Sequence, residues 1–254
     1  MRSSPFARLD GLFAPAPIAR RVAFLTLRPF AHRGLHGAGV AENSRAAFAA
    51  AIAAGHGIEC DVRASRDGEA IVFHDEYLNR LTARSGPVAQ QSAASLTAIK
   101  LKRSEETLPR LSEVLALVAG RVPILIELKV ADGQIAPLCL AVHHALEGYR
   151  GPAAIMSFNP HVSRWFATHA ERITRGLVVT EQERRGLAGR ASRHAALWRA
   201  RPDFLAYDVR DLPSRFAAAA RARGFPVLAW TVRDDAAERA AIAHADEIIY
   251  ERAP

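Results

Sequence analysis

A chain of 254 residues, half of them hydrophobic, can bury a large core, and that length suits one large α/β domain or two small ones. Its net charge of +8 is carried mostly by arginine, yet there is no basic run interleaved with aromatics and no finger or helix-turn-helix pattern, which argues against dedicated nucleic-acid binding. The charge is read as a solvated basic surface, or as an attraction for anions such as phosphate-bearing substrates or an anionic membrane surface.

Residues 1–28 carry Arg2, Arg8, Arg20 and Arg21 but no sustained apolar core. The run 18–25 is too short and too charged for a signal peptide or a membrane span, and Pro15, Pro17 and Pro29 interrupt the segment. The favoured reading is an N-terminal arm packed on the main domain, with a weak anionic-membrane contact as the alternative. Cys60 and Cys139 share no metal-type spacing and imply no disulfide framework, so a reduced, cytoplasmic setting is expected.

From residue 29 onward, apolar runs suited to buried strands recur at 29–33, 57–62, 70–74, 122–129, 153–158, 176–180, 204–208, 226–232 and 247–250. Ala-rich helical spacing fills most of the gaps. The first helix is expected over 44–54, capped by Asn43 and ended at Gly55. Others are expected over 111–119, 135–147, 161–170, 191–200, 214–223 and 235–244. Strand–helix alternation means parallel strands with crossover helices, and about eight units in about 250 residues is the size of a TIM-type (β/α)8 barrel, here 29–254.

Two places break the rhythm. The link from Asp61 to Ile71 is too short for a helical crossover, so 70–74 should run antiparallel to its predecessor, whether or not it joins the ring. The polar, Ser/Thr/Gln-rich stretch 76–110 is expected as a small insertion covering the site.

In a strand over 57–62, Glu59 and Asp61 share a face and Cys60 points opposite. Two neighbouring buried carboxylates repel and are costly to desolvate, so a cation between them is expected, either a metal or Arg33 or Arg63. A hairpin about Asp67-Gly68 brings His74 back roughly level with Asp61. His32-Arg33 end one strand, and Glu127 and Lys129 share a face on another, as a buried ion pair or as parts of a site. Ser157-Phe158-Asn159, Asp208 and Trp230-Thr231 end later strands, and such ends gather at one mouth of a barrel. Three carboxylates without a Cys/His cluster favour a hard divalent ion, Mg²⁺ or Ca²⁺, over zinc. With Arg33 and Lys129 against phosphate charge and two histidines as acid and base, the set describes phosphoester cleavage.

The run His32-Arg33-Gly34, Glu42-Asn43-Ser44, Glu59-Cys60-Asp61-Val62, Asp67-Gly68 and Val72-Phe73-His74-Asp75 closely resembles the glycerophosphodiester phosphodiesterase family. The resemblance continues through Leu78-Asn79-Arg80, Leu108-Pro109-Arg110-Leu111, Glu127-Leu128-Lys129, Ser157-Phe158-Asn159 and Trp230-Thr231-Val232, covering about 30 to 250. It implies a TIM-type barrel that hydrolyses glycerophosphodiesters to glycerol 3-phosphate and an alcohol. Glu59, Asp61 and Glu127 would bind one divalent cation. His32 and His74 would be the acid–base pair, Arg33 and Lys129 would hold phosphate, Glu42 would support the metal or substrate, and Trp230 would touch substrate. The neighbouring glycerol hydroxyl would attack phosphorus first, giving a cyclic phosphate that water opens. Ser44 replaces the family's Thr, and Tyr250-Glu251 followed by Arg252-Ala253-Pro254 replaces its closing Thr-Asp, which bears on substrate preference. A lysophospholipase D-like or cyclising enzyme acting on lipids is the alternative, and a non-catalytic phosphodiester-binding barrel the third reading.

Overall fold

The computed structural model describes residues 6–37, 39–130, 133–182 and 184–251. Residues 1–5 of the expected arm and the closing Arg252-Ala253-Pro254 lie outside these. The chain divides into two compact units, one of residues 28–153 with 251–254, the other of residues 1–27 with 154–250.

In the first unit β1 (Phe30–Ala31), β2 (Gly57–Ala64), β3 (Ala70–Val72) and β4 (Ile124–Leu128) form a sheet centred on β2. β2 runs parallel to β1 and to β4, with Asp61 opposite Glu127. β3 pairs antiparallel with the far end of β2, Val62 against Val72. It therefore extends β2 as a hairpin arm outside the parallel set, because a turn of a few residues can only reverse the chain. Gly57 lets β1 and β2 approach closely, since a Cβ there would lie 2.5 Å from the Phe30 ring.

The helices follow the expected spacing. The first spans Arg45–Ala53, but its N-cap is Ser44, whose side chain accepts from the Ala47 N–H, and not Asn43. Helices over Leu111–Val118 and Ile135–Leu146 complete the unit's crossovers. The insertion 76–110 is more than a polar cover. It contains a helix over Ala93–Thr97 and shares an apolar cluster with the hairpin, in which Leu78, Val88, Leu96 and Leu108 pack with Ile71 and Phe73. The polar composition had hidden this core, because its apolar residues are spaced irregularly.

The second unit contains β5 (Ala153–Ser157), β6 (Thr174–Val179), β7 (Phe204–Asp208), β8 (Val227–Val232) and β9 (Glu247–Tyr250), each parallel to the next. Helices over Pro160–His169, Gly186–Ala200, Arg215–Ala222 and Asp235–His244 connect them. The second begins five residues before the expected start at Ala191. The N-terminal helix Ala7–Phe13 is tied to Gly186–Ala200 by buried Asp10, whose carboxylate accepts from His194 Nδ1 (2.8 Å) and Trp198 Nε1 (2.7 Å). Phe6 stacks on the same imidazole at 4.2 Å. Among the described residues no helix is long and apolar enough to cross a membrane.

Candidate active site

β1 stops after two residues because the chain turns sharply, with Arg33 in the left-handed region at φ +56°. Such a conformation is costly for a non-glycine residue, and the site acids hold it in place. The Arg33 N–H donates to Glu59 Oε2 (3.0 Å), and its guanidinium meets Glu42 Oε1 (2.7 Å) and Asp61 Oδ2 (3.2 Å). Gly34 follows at φ +79°, and a Cβ there would come within 2.8 Å of the Ala47 Cβ, so the turn sits directly on the helix Arg45–Ala53. Asn43, also left-handed, clamps the β2 backbone and side chain together. Its Oδ1 accepts from the Asp61 N–H (3.2 Å) and its Nδ2 donates to Asp61 Oδ2 (3.0 Å).

Glu59 and Asp61 share one face of β2, both fully buried, and parallel register brings Glu127 beside Asp61. Carboxylate oxygens of the three lie within 4.8 Å of one another. Lys129 Nζ sits 2.6 Å from Glu127 Oε1 and 3.2 Å from Asp61 Oδ1. The Glu127–Lys129 ion pair therefore exists, and it lies within the acidic cluster. Arg63, the other candidate cation for Glu59 and Asp61, instead donates from Nε to the His74 carbonyl (2.7 Å).

The electrostatics divide the acids. Burial alone would raise Asp61, but Lys129 and Arg33 outweigh it and hold its carboxyl well below the usual range. Burial, then the Asp61 and Glu127 carboxylates, pushes Glu59 well above its ordinary value. Burial likewise raises Glu127 against the pull of Lys129. Glu59 Oε1 is buried without a hydrogen-bond partner. With all three carboxylates ionised, Arg33 and Lys129 would leave this centre one negative charge in excess inside protein, a state that burial opposes and that a further cation would balance.

The two histidines are tethered alike. His32 Nδ1 lies 2.8 Å from Glu251 Oε2, and its Nε2 is 4.0 Å from Glu59 Oε2. His74 Nδ1 lies 2.7 Å from Asp75 Oδ1, and the Phe73 N–H donates to the Asp61 carbonyl (3.0 Å), so the hairpin returns His74 one residue beyond Asp61. Burial lowers the His74 and His36 imidazoles below their ordinary value. Arg80 links the outer residues, donating to both oxygens of Asp75 and both of Glu42. Its hydrogen bonds, helped by His74 and opposed by burial, bring Asp75 down to about 2.

Glu42 is thus held by two guanidiniums. Trp230 lies in the second unit, edge-on to Phe158 at 5.4 Å. There Asn159 caps the helix Pro160–His169 through the His161 N–H, and Asp208 is held by Arg210 and Thr180. Asp75, Arg80 and Glu251 stood inside quoted motifs without a role, and Asn43 was read only as a helix cap. The buried clamp of Asn43 and the reach of Arg80 and Glu251 are contacts that spacing does not reveal, whereas Asp75, adjacent to His74, could have been read as its partner.

A family model described as the glycerophosphoryl diester phosphodiesterase family matches residues 32–253. A glycerophosphodiester phosphodiesterase of Bacillus altitudinis is 40% identical over 110 residues, 41% of this chain and 44% of that protein. One of Caldanaerobacter subterraneus is 36% identical over a stretch of the same length and the same shares. The chain thus aligns with under half the length of these curated relatives. Among solved structures, an Oleispira antarctica phosphodiesterase in complex with the product sn-glycerol-3-phosphate superposes with a TM-score of 0.75 at 24% identity, covering 89% of this chain and 93% of that one. A glycerophosphodiester phosphodiesterase of Thermotoga maritima gives 0.70 at 24% identity, covering 87% and 92%. The fold class is that of these structures, the TIM-type (β/α)8 barrel.

Proposed function

This chain belongs to the glycerophosphoryl diester phosphodiesterase family, and from that premise we propose that it hydrolyses small-molecule glycerophosphodiesters to glycerol 3-phosphate and an alcohol, using one divalent cation, Mg²⁺ or Ca²⁺, held by Glu59, Asp61 and Glu127. The observation that carries this reading is the buried carboxylate trio, with an unpartnered Glu59 oxygen, set beside two carboxylate-tethered histidines.

Three hard oxygen donors without a thiolate suit such an ion. When bound, it would polarise a phosphoryl oxygen and offset the charge that develops there. With the three carboxylates ionised around it, a divalent ion together with Arg33 and Lys129 would leave the centre a single positive charge, matched to a phosphodiester monoanion. Arg33 and Lys129 would bind the remaining non-bridging oxygen, Arg33 braced by Glu42 and Arg80 behind Glu42.

With Nδ1 donating to Glu251 in His32 and to Asp75 in His74, Nε2 is left to accept a proton in a neutral ring or to deliver one from a protonated ring. One accepts the proton of the attacking hydroxyl, and the other delivers a proton to the departing alcohol oxygen. Burial favours the neutral, accepting form of His74 near pH 7. The role of Trp230 as a substrate contact rests on the sequence pattern.

The test is a panel of glycerophosphodiesters, including glycerophosphocholine and glycerophosphoethanolamine, assayed with Mg²⁺, Ca²⁺ or Mn²⁺ after EDTA treatment. Turnover should vanish with EDTA and return with Mg²⁺ or Ca²⁺. Undiminished hydrolysis in the chelator would remove the metal from the reading, and failure on every diester would remove the substrate class.

A lipid-facing variant of the same chemistry, lysophospholipase D-like, has one observation in its favour. Leu12, Ile18 and Leu27 are 69%, 54% and 71% exposed on the N-terminal segment that also exposes Arg8 and Arg20. Cosedimentation with phosphatidylserine vesicles should then fall several-fold in a Leu12→Ser, Leu27→Ser double variant, which spares buried Asp10. A wild-type protein that stays in the supernatant ends this variant.

A further inference from the structure

His32 faces two acidic neighbourhoods at once. Its Nε2 looks toward Glu59, while its Nδ1 lies 2.8 Å from Glu251 Oε2. Four residues on, past the Gly34 turn, His36 Nε2 lies 4.0 Å from Glu251 Oε1 and is a buried nitrogen without a hydrogen-bond partner. Ligand atoms of His32, His36 and Glu251 lie within 4.8 Å of one another, and none of the three residues belongs to the carboxylate trio.

We propose that His32, His36 and Glu251 form a second cation site of borderline-soft character, which takes Zn²⁺ through two imidazole nitrogens and one carboxylate and thereby switches His32 off. The donor set decides the class of ion. Two nitrogens and one oxygen with a fourth position open are a zinc arrangement, whereas the trio of oxygens beside it suits Mg²⁺ or Ca²⁺. To close on a tetrahedral ion the donor atoms must approach to roughly 3.4 Å, the edge set by bonds of about 2.1 Å. The His32 side chain is 12%, His36 17% and Glu251 29% exposed, which leaves an approach from solvent and room for that adjustment.

A cation on Nδ1 takes the position of the proton that His32 shares with Glu251. In the neutral ring that proton moves to Nε2, with no net release. Nε2 then points an N–H toward Glu59 and has no lone pair to offer. This consequence rests on the proposed acid–base role of His32, but the site itself does not.

Equilibrium dialysis of the full chain in saturating Mg²⁺ tests the site without turnover, using Zn²⁺, with Co²⁺ absorbance reporting nitrogen ligation. Wild-type protein should hold one Zn²⁺ beyond the Mg²⁺ site. His36→Ala and Glu251→Gln should each weaken it at least about tenfold, on the scale of losing a supporting group at a metal centre. In the hydrolysis assay, Zn²⁺ should inhibit the wild type in a manner that excess Mg²⁺ does not relieve. His36→Ala should keep its zinc-free turnover while needing about tenfold more Zn²⁺ for inhibition. Equal Zn²⁺ binding in wild type and His36→Ala, or inhibition relieved by Mg²⁺ with equal potency in both, would overturn the proposal in favour of zinc at Glu59, Asp61 and Glu127. A chain that hydrolyses no diester but binds Zn²⁺ through His36 would overturn the functional reading and leave the second site standing.

Discussion

Alanine at His32 or at His74 lowers kcat/KM for a glycerophosphodiester by about 10²–10⁴-fold, the range of a lost general acid or base. The expectation rests on geometry that the two residues share. Each imidazole is oriented through Nδ1 by a carboxylate, Glu251 or Asp75, and each thereby presents Nε2. The stability cost should be small in both cases, because the side chains freed of a partner do not become isolated buried charges. Glu251 is 29% exposed and can hydrate, while Asp75 keeps both of its hydrogen bonds from Arg80. Unfolding midpoints measured beside the kinetics separate a chemical defect from a folding one. If the two residues serve one reaction as acid and base, the double variant should fall little further than the worse single variant. Near-normal turnover in either single variant would remove that histidine from the mechanism.

Amides at the two acids of β2 should move stability in opposite directions in the metal-free protein. Asp61 is the residue around which Arg33, Lys129 and Asn43 are arranged, and its charge is strongly favoured where it stands. Asp61→Asn keeps the shape but leaves two buried cations with less compensation, and should cost about 3–5 kcal/mol. Glu59 is the reverse case. Its charge is opposed by burial and by the two neighbouring carboxylates, and one of its oxygens has no partner. Glu59→Gln keeps an acceptor for the Arg33 N–H and removes the repulsion, so its unfolding midpoint in EDTA should rise above wild type. Both variants should lose the stabilisation that Mg²⁺ or Ca²⁺ confers on the wild type, as binding to the native state alone requires. Thermal unfolding of the three proteins, each with EDTA and with metal, gives the comparison. A Glu59→Gln protein that is less stable than wild type in EDTA would contradict the charge assignment, and one that keeps the full metal shift would contradict the ligand assignment.

That opposition between Glu59 and Asp61 marks the border between what local sequence encodes and what it does not. The period-2 rule was enough to put both carboxylates on one face of a strand, and the Asp-Gly turn was enough to return His74 beside them. Helix and strand spacing was equally legible, because periodicity is a property of a few adjacent residues. The strand over Phe204–Asp208 and the helix over Asp235–His244 fall where the pattern puts them. Errors fell where a side chain had two local uses. Asn43 is as good a cap as Ser44 by type, and only its left-handed backbone and its hold on Asp61 take it out of the helix start.

Sequence by itself therefore determined the alternation of strands and helices, the acid pair, the returning histidine and the family. Tertiary structure decided which of the two acids is stabilised, by setting Glu127 and Lys129 beside Asp61 through parallel register and turning Arg33 inward on a left-handed backbone. It also decided that β3 is a hairpin extension, that 76–110 has an apolar core, and that Glu251 reaches His32 across 219 positions of chain. The physical reason is range. Periodicity and turn chemistry act between neighbours, whereas the choice of one counter-ion among the chain's 34 Lys and Arg residues depends on distances that exist only once the strands are packed.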